Sequence, residues 1–156
     1  MRLSIHAVGR LKDCLEAALV KDYLSRAATT GRPIGFGSVD LREVDERKAR
    51  DPEAQASALL IGLAGGARAV VLEERGTTVT STDFAKRLAD WRDTGSAEAA
   101  FLIGGADGHG AAVRRRADLT LSLGPMVWPH RLVRVMLAEQ LYRAMAILAG
   151  TPYHRE

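Results

Sequence analysis

The spacing of apolar residues alternates between two periods along the chain, and each period predicts one kind of element. Segments in which every second residue is apolar, or in which apolar residues form a short unbroken run, predict five strands: 2–8, 34–44, 68–72, 99–103 and 119–123. Segments with apolar residues three or four positions apart predict the intervening helices: 13–28, 52–63, one from Ser81 or Thr82 to near Gly95, 111–117 and 130–149. Strands that alternate with helices are typical of an α/β domain with a mostly parallel sheet flanked by helices.

Short polar residues mark where several of these elements begin and end. Asp13 is placed to cap the first helix, and Ser81 or Thr82 to cap the third, because such side chains accept hydrogen bonds from the first N–H groups of a helix. The polar run 73–76 predicts a turn directly after the third strand.

The last predicted helix is apolar on more than one side. Pro129 stands at its first turn and Gly150 just beyond its end. A helix on the surface of a monomer needs a single apolar stripe, whereas this one carries several: Leu132, Val133, Val135, Met136, Leu137, Leu141, Met145 and Leu148. We therefore expect a second copy of the chain to cover part of it in a homodimer. Two interpretations stay open: a dimer interface alone, or a site where the preceding loop, the helix start and the chain end meet.

Three loops with glycine or proline follow predicted strands, after Leu72, Ile103 and Leu123. In parallel α/β sheets, ligands bind beyond the carboxyl ends of the strands. If these three strands are neighbours, their loops converge on one pocket. The middle loop, 104–110, contains four glycines, which allow a backbone to approach a ligand closely.

Length and composition indicate a single domain over residues 1–156. The 47% hydrophobic and 26% charged residues are ordinary globular values. With no long apolar run and no signal-peptide pattern at the amino terminus, we expect a cytoplasmic protein without a membrane anchor. A single cysteine, Cys14, excludes an internal disulfide framework. The net charge of +3 permits an RNA partner without requiring one.

Several common catalytic motifs are missing. The loop 104–110 is not a G-x-G-x-x-G loop that opens a long helix, nor a Walker A loop, and no H-E-x-x-H or G-x-S-x-G occurs. The histidines lack metal-ligand spacing: His6, His109, His130 and His154. We therefore assign no metal.

Three stretches resemble one known family. FLIGGADGHG, LSLGPMVWPHRLVRVMLAEQLYRA and the terminal TPYHRE are similar to sequences of the RlmH family of SPOUT methyltransferases, and the resemblance extends over the whole chain. It implies a carboxyl-terminal trefoil knot in the α/β fold. It also implies methylation of N3 of a pseudouridine in a hairpin of large-subunit ribosomal RNA, with S-adenosylmethionine as methyl donor. The substrate would be the RNA in assembled ribosomes, and the protein a homodimer.

The resemblance also implies which residues form the site. In such enzymes the cofactor lies in the loops of the knot, which match the following residues of this chain: Leu72, Gly104, Leu123, Gly124, Pro125, Met126, Val127 and Trp128. The chain end resembles the part that reaches the active site, across the dimer. There His154 is the candidate proton acceptor, Tyr153 a base-stacking residue and Arg155 a phosphate ligand.

Two departures from the family pattern keep alternatives open. Gly104–Gly108 reads GGADG where the family has GG-P-E-G, and 124–127 reads GPMV where the family has serine and threonine hydroxyls. Cofactor binding through the main chain is compatible with both changes. The alternatives are a catalytically silent RNA-binding protein of this fold and a tRNA methyltransferase. We expect RNA contacts from Arg10, Lys12, Arg114, Arg115 and Arg116, and structural roles for His130 and Glu139.

Overall fold

The computed structural model describes residues 1–154, and over that range strands alternate with helices. The strands are β1 (Arg2–Val8), β2 (Val39–Val44), β3 (Arg68–Thr77), β4 (Glu98–Ile103) and β5 (Leu119–Leu121). The α-helices are α1 (Leu15–Gly31), α2 (Pro52–Leu60), α3 (Ser81–Asp93), α4 (Ala111–Arg116) and α5 (His130–Leu148), and a 3₁₀ turn (Arg32–Ile34) follows α1.

The strands form one sheet in the order β2-β1-β4-β3-β5, and all neighbouring strands are parallel. One face packs against α1, α3 and α5, and the other packs against α2 and α4. Because both faces are covered, the central strands are mostly apolar, and β4 is buried over its full length, including Glu98 at its start. The predicted α/β class, with a parallel sheet flanked by helices, is confirmed. The trefoil knot stays a prediction.

The register of β3 brings Leu72 beside the ends of β4 and β5. Leu72 pairs with Ile103 of β4 on one side and with Leu121 of β5 on the other. Since all three strands run in the same direction, the chain leaves them at the same edge of the sheet.

The amino-terminal ends of two helices differ from the predictions. The residue before α1 is Cys14, and its side chain makes no capping bond; Asp13 stands one position too early to act as the cap. The cap of α3 is Thr80, whose hydroxyl accepts a hydrogen bond from the N–H of Asp83 at 3.0 Å. Ser81 begins the helix instead, because Thr80 is the last residue with extended backbone.

The second strand is shorter than predicted and the first helix is longer. Helix α1 continues to Gly31 rather than stopping at 28, and Arg32–Ile34 forms a 3₁₀ turn with proline in its first turn. Residues 34–38 therefore lie outside β2, which begins at Val39. Apolar residues such as Phe36 mimic strand alternation here, although Phe36 packs into the core from a loop.

The third strand is longer than predicted, and the fifth ends earlier. Residues 73–76 do not form a turn: they continue β3, and the register shifts so that Leu72 and Thr77 both lie opposite Leu121. Gly76 permits this bulge because a Cβ there would lie 2.7 Å from the carbonyl carbon of Leu121. Strand β5 ends at Leu121. The N–H of the next residue, Ser122, donates a hydrogen bond to the carbonyl of Thr77 at 3.0 Å.

Helix α5 buries much of its wide apolar surface within one protomer, against α1 and α3. Its first turns are held by Arg134, which is 1% exposed and donates to the carbonyl of Val8 and to Glu43 at 3.1 Å. The apolar width of α5 is thus partly explained without a second subunit. Leu132, in the first turn, stays 40% exposed.

Within residues 1–154, none of the helices combines the length and the apolar character needed to cross a membrane.

A buried carboxylate at the opposite edge of the sheet gives a test of this packing. Glu98, 1% exposed, accepts hydrogen bonds from Ser4 Oγ (2.6 Å), Arg2 Nη2 (2.9 Å) and the N–H of Ala64 (2.9 Å). Burial works against ionisation, but these hydrogen bonds outweigh it and hold the pKa of Glu98 below its usual value. The ionised form is therefore the one that the fold stabilises.

We expect Glu98→Gln to lower the free energy of unfolding by about 1–3 kcal/mol near neutral pH, because it leaves buried donors without a charged acceptor. The lowered folded pKa means that this contribution is complete above the unfolded pKa, about 4.3, and is lost as the pH falls through the folded value. Urea unfolding as a function of pH measures both effects. Asp22→Asn, in an exposed pair with Arg26, is the control and should cost less than about 1 kcal/mol. Equal losses from the two variants would contradict the assignment.

Candidate functional site

A cleft of about 410 Å³ opens where the chain leaves β4 and β5, beside residues 72–75 of β3. This volume is typical of small-molecule sites. The structure brings seven of the eight predicted cofactor residues to its wall: Leu72, Gly104, Leu123, Gly124, Met126, Val127 and Trp128. Pro125 lies in the same loop but does not line the cleft. Two of the three predicted loops, those after β4 and β5, thus converge at the cleft, and the continuation of β3 past Leu72 takes the place of the third. The role of each residue stays a prediction.

The glycine loop is a tight turn whose backbone packs against itself. The N–H of Gly108 donates to the carbonyl of Gly105 at 3.1 Å. A Cβ on Gly104 would lie 2.8 Å from the carbonyl oxygen of Gly108, so position 104 accommodates only glycine without rearrangement. Asp107 is exposed at the tip of the turn and is not part of the cleft wall.

The loop after β5 is organised by a buried hydroxyl that the sequence analysis did not single out. Ser122 Oγ donates to the carbonyl of Gly124 (2.9 Å) and accepts from the N–H of the same residue (3.2 Å). Beyond it, Met126 and Val127 present apolar side chains to the cleft. The departure from the family pattern at 124–127 therefore gives an apolar wall with its polar groups in the main chain.

His109, to which the sequence motifs assign no role, joins the glycine loop to β3. Its Nε2 lies 2.9 Å from the carbonyl oxygen of Leu72, and the side chain is 6% exposed on the cleft wall. Burial lowers the pKa of His109 despite the opposing effect of the hydrogen bond to Leu72. The imidazole is therefore neutral near neutral pH. Only its contact with a backbone carbonyl 37 residues earlier reveals this role.

Charged side chains stand at the rim of the cleft. Arg114 Nη2 lies 2.9 Å from Glu73 Oε1, and both residues line the cleft. The other predicted RNA contacts lie elsewhere; among them, Arg116 pairs with Asp118 at 2.7 Å and Arg10 approaches an aspartate at 3.6 Å. Such exposed pairs are weak, so a phosphate can compete for these arginines.

The chain end packs onto α5 of its own protomer. The Tyr153 hydroxyl donates to Glu139 at 3.0 Å, and Arg143 Nε donates to the same carboxylate at 3.0 Å. The rings of Tyr153 and Tyr142 lie 4.4 Å apart. Burial, followed by the hydrogen bond to Glu139, raises the pKa of Tyr153 to about 12. Glu139 thus has a structural role, as predicted: its carboxylate pairs with Arg143 and also holds the chain end through Tyr153.

Neither Tyr153 nor His154 lines the cleft of its own protomer, and Arg155 lies outside the described residues. His154 Nδ1 is 3.3 Å from Arg143 Nη1. Because a guanidinium only donates, Nδ1 is the acceptor and the hydrogen of the neutral ring is on Nε2. His154 must release Arg143 before this ring can accept a proton at Nδ1. His130, at the start of α5, does line the cleft.

A second groove, of about 500 Å³, shares the wall formed by residues 121–124 with the cleft. Its other wall includes Tyr23, Met136 and Glu139. Glu139, which accepts the hydrogen bond from the Tyr153 hydroxyl, therefore also lines this second groove.

Among residues 1–154, no group of three or more histidine, cysteine, aspartate or glutamate side chains is arranged to hold a metal ion.

Known proteins similar to this chain are methyltransferases. A family model described as "Predicted SPOUT methyltransferase" matches residues 1–154. The chain is 56% identical over 155 residues to ribosomal RNA large subunit methyltransferase H of Cereibacter sphaeroides, with 99% of both chains covered. It is 53% identical over 156 residues to the protein of that name from Maricaulis maris, with 100% of both covered. A crystal structure of the SpoU methyltransferase AviRb from Streptomyces viridochromogenes, in complex with the cofactor AdoMet, has a TM-score of 0.41 at 12% identity, covering 92% of this chain and 59% of that one.

The packing at Gly104 generates a prediction about the shape of the cleft. Gly104→Ala should displace Gly108 and His109 and lower the free energy of unfolding by about 1–3 kcal/mol, as overpacked sites do. Gly65→Ala is the control. Gly65 lies in an exposed turn, where an added Cβ would have no neighbouring heavy atom within 4 Å. Amide chemical shifts should move across 104–110 in the first variant and only around 65 in the second. Unchanged shifts at 108–109 in Gly104→Ala would contradict the close approach.

Proposed function

The chain belongs to the RlmH family of SPOUT methyltransferases, and on that basis we propose that it methylates N3 of a pseudouridine in large-subunit ribosomal RNA, with S-adenosylmethionine as methyl donor. The names of the relatives support ribosomal RNA as the substrate. The observation that carries the proposal is the convergence of the loops after β4 and β5 with the second half of β3 on a single cleft. With a ribosomal substrate, the protein acts in the cytoplasm.

The cleft fits a methyl donor of this size and chemistry. Its volume of about 410 Å³ lies within the range of small-molecule sites. Gly104 lines the cleft, and its missing Cβ lets the glycine turn pack closely against Gly108 and His109 beside it. Met126 and Val127 offer an apolar wall, and the carboxylate of Glu73 stands at the rim to accept hydrogen bonds from hydroxyl or ammonium groups. Leu72, Gly104 and the main chain of 123–128 would hold the donor.

S-adenosylmethionine bound there supplies an electrophilic methyl group attached to a sulfonium. The protein's contribution is then positioning: the loops would fix the donor's orientation, and Arg75 and Arg114 at the rim would bind the RNA backbone so that the RNA nitrogen lies in line with the methyl group. Such alignment is worth on the order of 7–11 kcal/mol at best in model reactions. The N3 proton needs an acceptor, for which His154 is the candidate.

The position of the chain end supports a homodimer. In one protomer Tyr153 and His154 rest on α5, away from the cleft wall. A site that uses them therefore needs either movement of the chain end or its delivery from a second copy. Leu15 and Leu19 on α1, together with Leu132 on the adjoining α5, leave large apolar side chains exposed, and a second copy would cover such a surface. We propose that each site is completed by the chain end of the other protomer.

The first prediction from this proposal concerns the methyl donor and the RNA that accepts the methyl group. S-adenosylhomocysteine should bind with a measurable heat in isothermal titration, and the protein should methylate ribosomes that lack the modification, as seen by mass spectrometry of their ribosomal RNA. Free tRNA serves as the control acceptor. Methylation of tRNA but not of ribosomes would favour the tRNA methyltransferase alternative. RNA binding without any heat from S-adenosylhomocysteine would favour a catalytically silent RNA-binding protein.

The second prediction concerns the chain end. His154→Ala should lower kcat by about 10²-fold or more, the usual contribution of a positioned proton acceptor, and leave the Kd for S-adenosylhomocysteine unchanged. Gly104→Val should abolish donor binding. If the site is shared between protomers, an equimolar mixture of the two inactive variants, exchanged into heterodimers, should regain about a quarter of the wild-type sites.

Each variant alone is the control for this mixing experiment. A mixture that stays inactive although heterodimers have formed would place the chain end in the cleft of its own protomer. A His154→Ala variant with wild-type kcat would remove His154 from the reaction.

A further inference from the structure

One buried imidazole ties two walls of the cleft together. His109 follows the glycine turn, and its Nε2 reaches the carbonyl of Leu72, the residue at which β3 pairs with both neighbouring strands. The ring also packs against the start of the turn, since a Cβ on Gly104 would lie 3.2 Å from its Cε1. Leu72 already pairs with Ile103, the residue before Gly104, and the ring of His109 adds a second link between Leu72 and the glycine turn.

The hydrogen bond identifies the tautomer. A carbonyl oxygen only accepts, so Nε2 carries the hydrogen, and Nδ1 of the neutral ring is an acceptor. Nδ1 is buried and has no hydrogen-bond partner within residues 1–154. A second proton would therefore enter a buried position without an acceptor in the protein, which is costly.

Charged groups around the ring do not offset this cost. Glu73 on β3 favours the protonated ring and Arg114 on α4 disfavours it, and these two side chains pair with each other. Glu74, Arg75 and His130 line the same cleft. Burial is the largest influence on the ring and keeps it neutral.

We propose that His109 is a positioning residue for the methyl donor, whose neutral ring holds the glycine turn against the end of β3 so that the main chains of Leu72 and Gly104 stand at the spacing that the donor requires. This inference rests on the function proposed above. It predicts that donor affinity, and not only stability, depends on the N–H at Nε2 and on the absence of a proton at Nδ1.

The protein contains a matched control. His6 is also buried, and its Nδ1 lies 2.7 Å from the carbonyl of Leu59 on α2. It makes the same kind of hydrogen bond, and burial likewise lowers its pKa, but it does not line the cleft. A substitution there reports what the loss of a buried histidine does to the fold alone.

The experiment measures the Kd for S-adenosylhomocysteine by isothermal titration for wild type, His109→Leu, His109→Gln and His6→Leu. His109→Leu should weaken binding by about tenfold or more, the equivalent of one lost buried hydrogen bond. His109→Gln, whose amide can donate to the Leu72 carbonyl, should stay within about threefold of wild type. His6→Leu should lower the melting temperature without changing the Kd.

The pH dependence separates positioning from simple support of the fold. Wild-type affinity should be constant above the lowered pKa of His109 and should fall as the pH drops through it, because protonation disrupts the held spacing. Glutamine does not titrate, so His109→Gln should keep its affinity over the same range. This comparison remains decisive if His109→Leu fails to fold.

Two results would overturn the role of His109 while leaving the proposed function intact: wild-type affinity in a folded His109→Leu variant, or the same pH dependence in wild type and His109→Gln. A wild-type protein that binds no S-adenosylhomocysteine would instead overturn the proposed function, and the inference about His109 with it.

Discussion

The pairing of Leu72 with Ile103 on one side and Leu121 on the other is the constraint on which the site depends. It places Leu72 beside the ends of β4 and β5, so the second half of β3 and the loops that follow β4 and β5 meet at one edge of the sheet. None of these segments forms a pocket alone. The bulge after Leu72, which Gly76 permits by its close approach to β5, lets β3 continue beside the cleft and add Glu73 to its rim.

The loop after β5 is held at both of its ends. Ser122 fixes its beginning through two hydrogen bonds to Gly124. Its other end runs into α5, whose first turns are anchored by the buried Arg134 to the carbonyl of Val8 and to Glu43. The exposed apolar side chains at 126–128 are thus carried on a loop with fixed ends. This arrangement suits a cleft that binds through main-chain groups, where small changes in spacing change affinity.

Local pattern predicted most of the fold and the position of the cleft. The short apolar runs at 68–72 and 99–103 were sufficient to predict buried parallel strands with a pocket beyond them. Pattern could not show that 73–76 continues the strand, because that depends on the contact of Gly76 with β5. Nor could it choose Thr80 among three adjacent hydroxyl residues as the cap of α3. His109 escaped notice because its partner is a backbone carbonyl far away in sequence.

The central claim is that the cleft binds the methyl donor. A crystal structure of the protein grown with saturating S-adenosylhomocysteine tests this claim most directly. We expect the ligand between β3 and the loops that follow β4 and β5, hydrogen-bonded to the main chains of Leu72, Gly104 and the 123–128 segment. Density for the ligand in the neighbouring groove beside Tyr23 and Met136, or an empty cleft at saturating ligand, would contradict it.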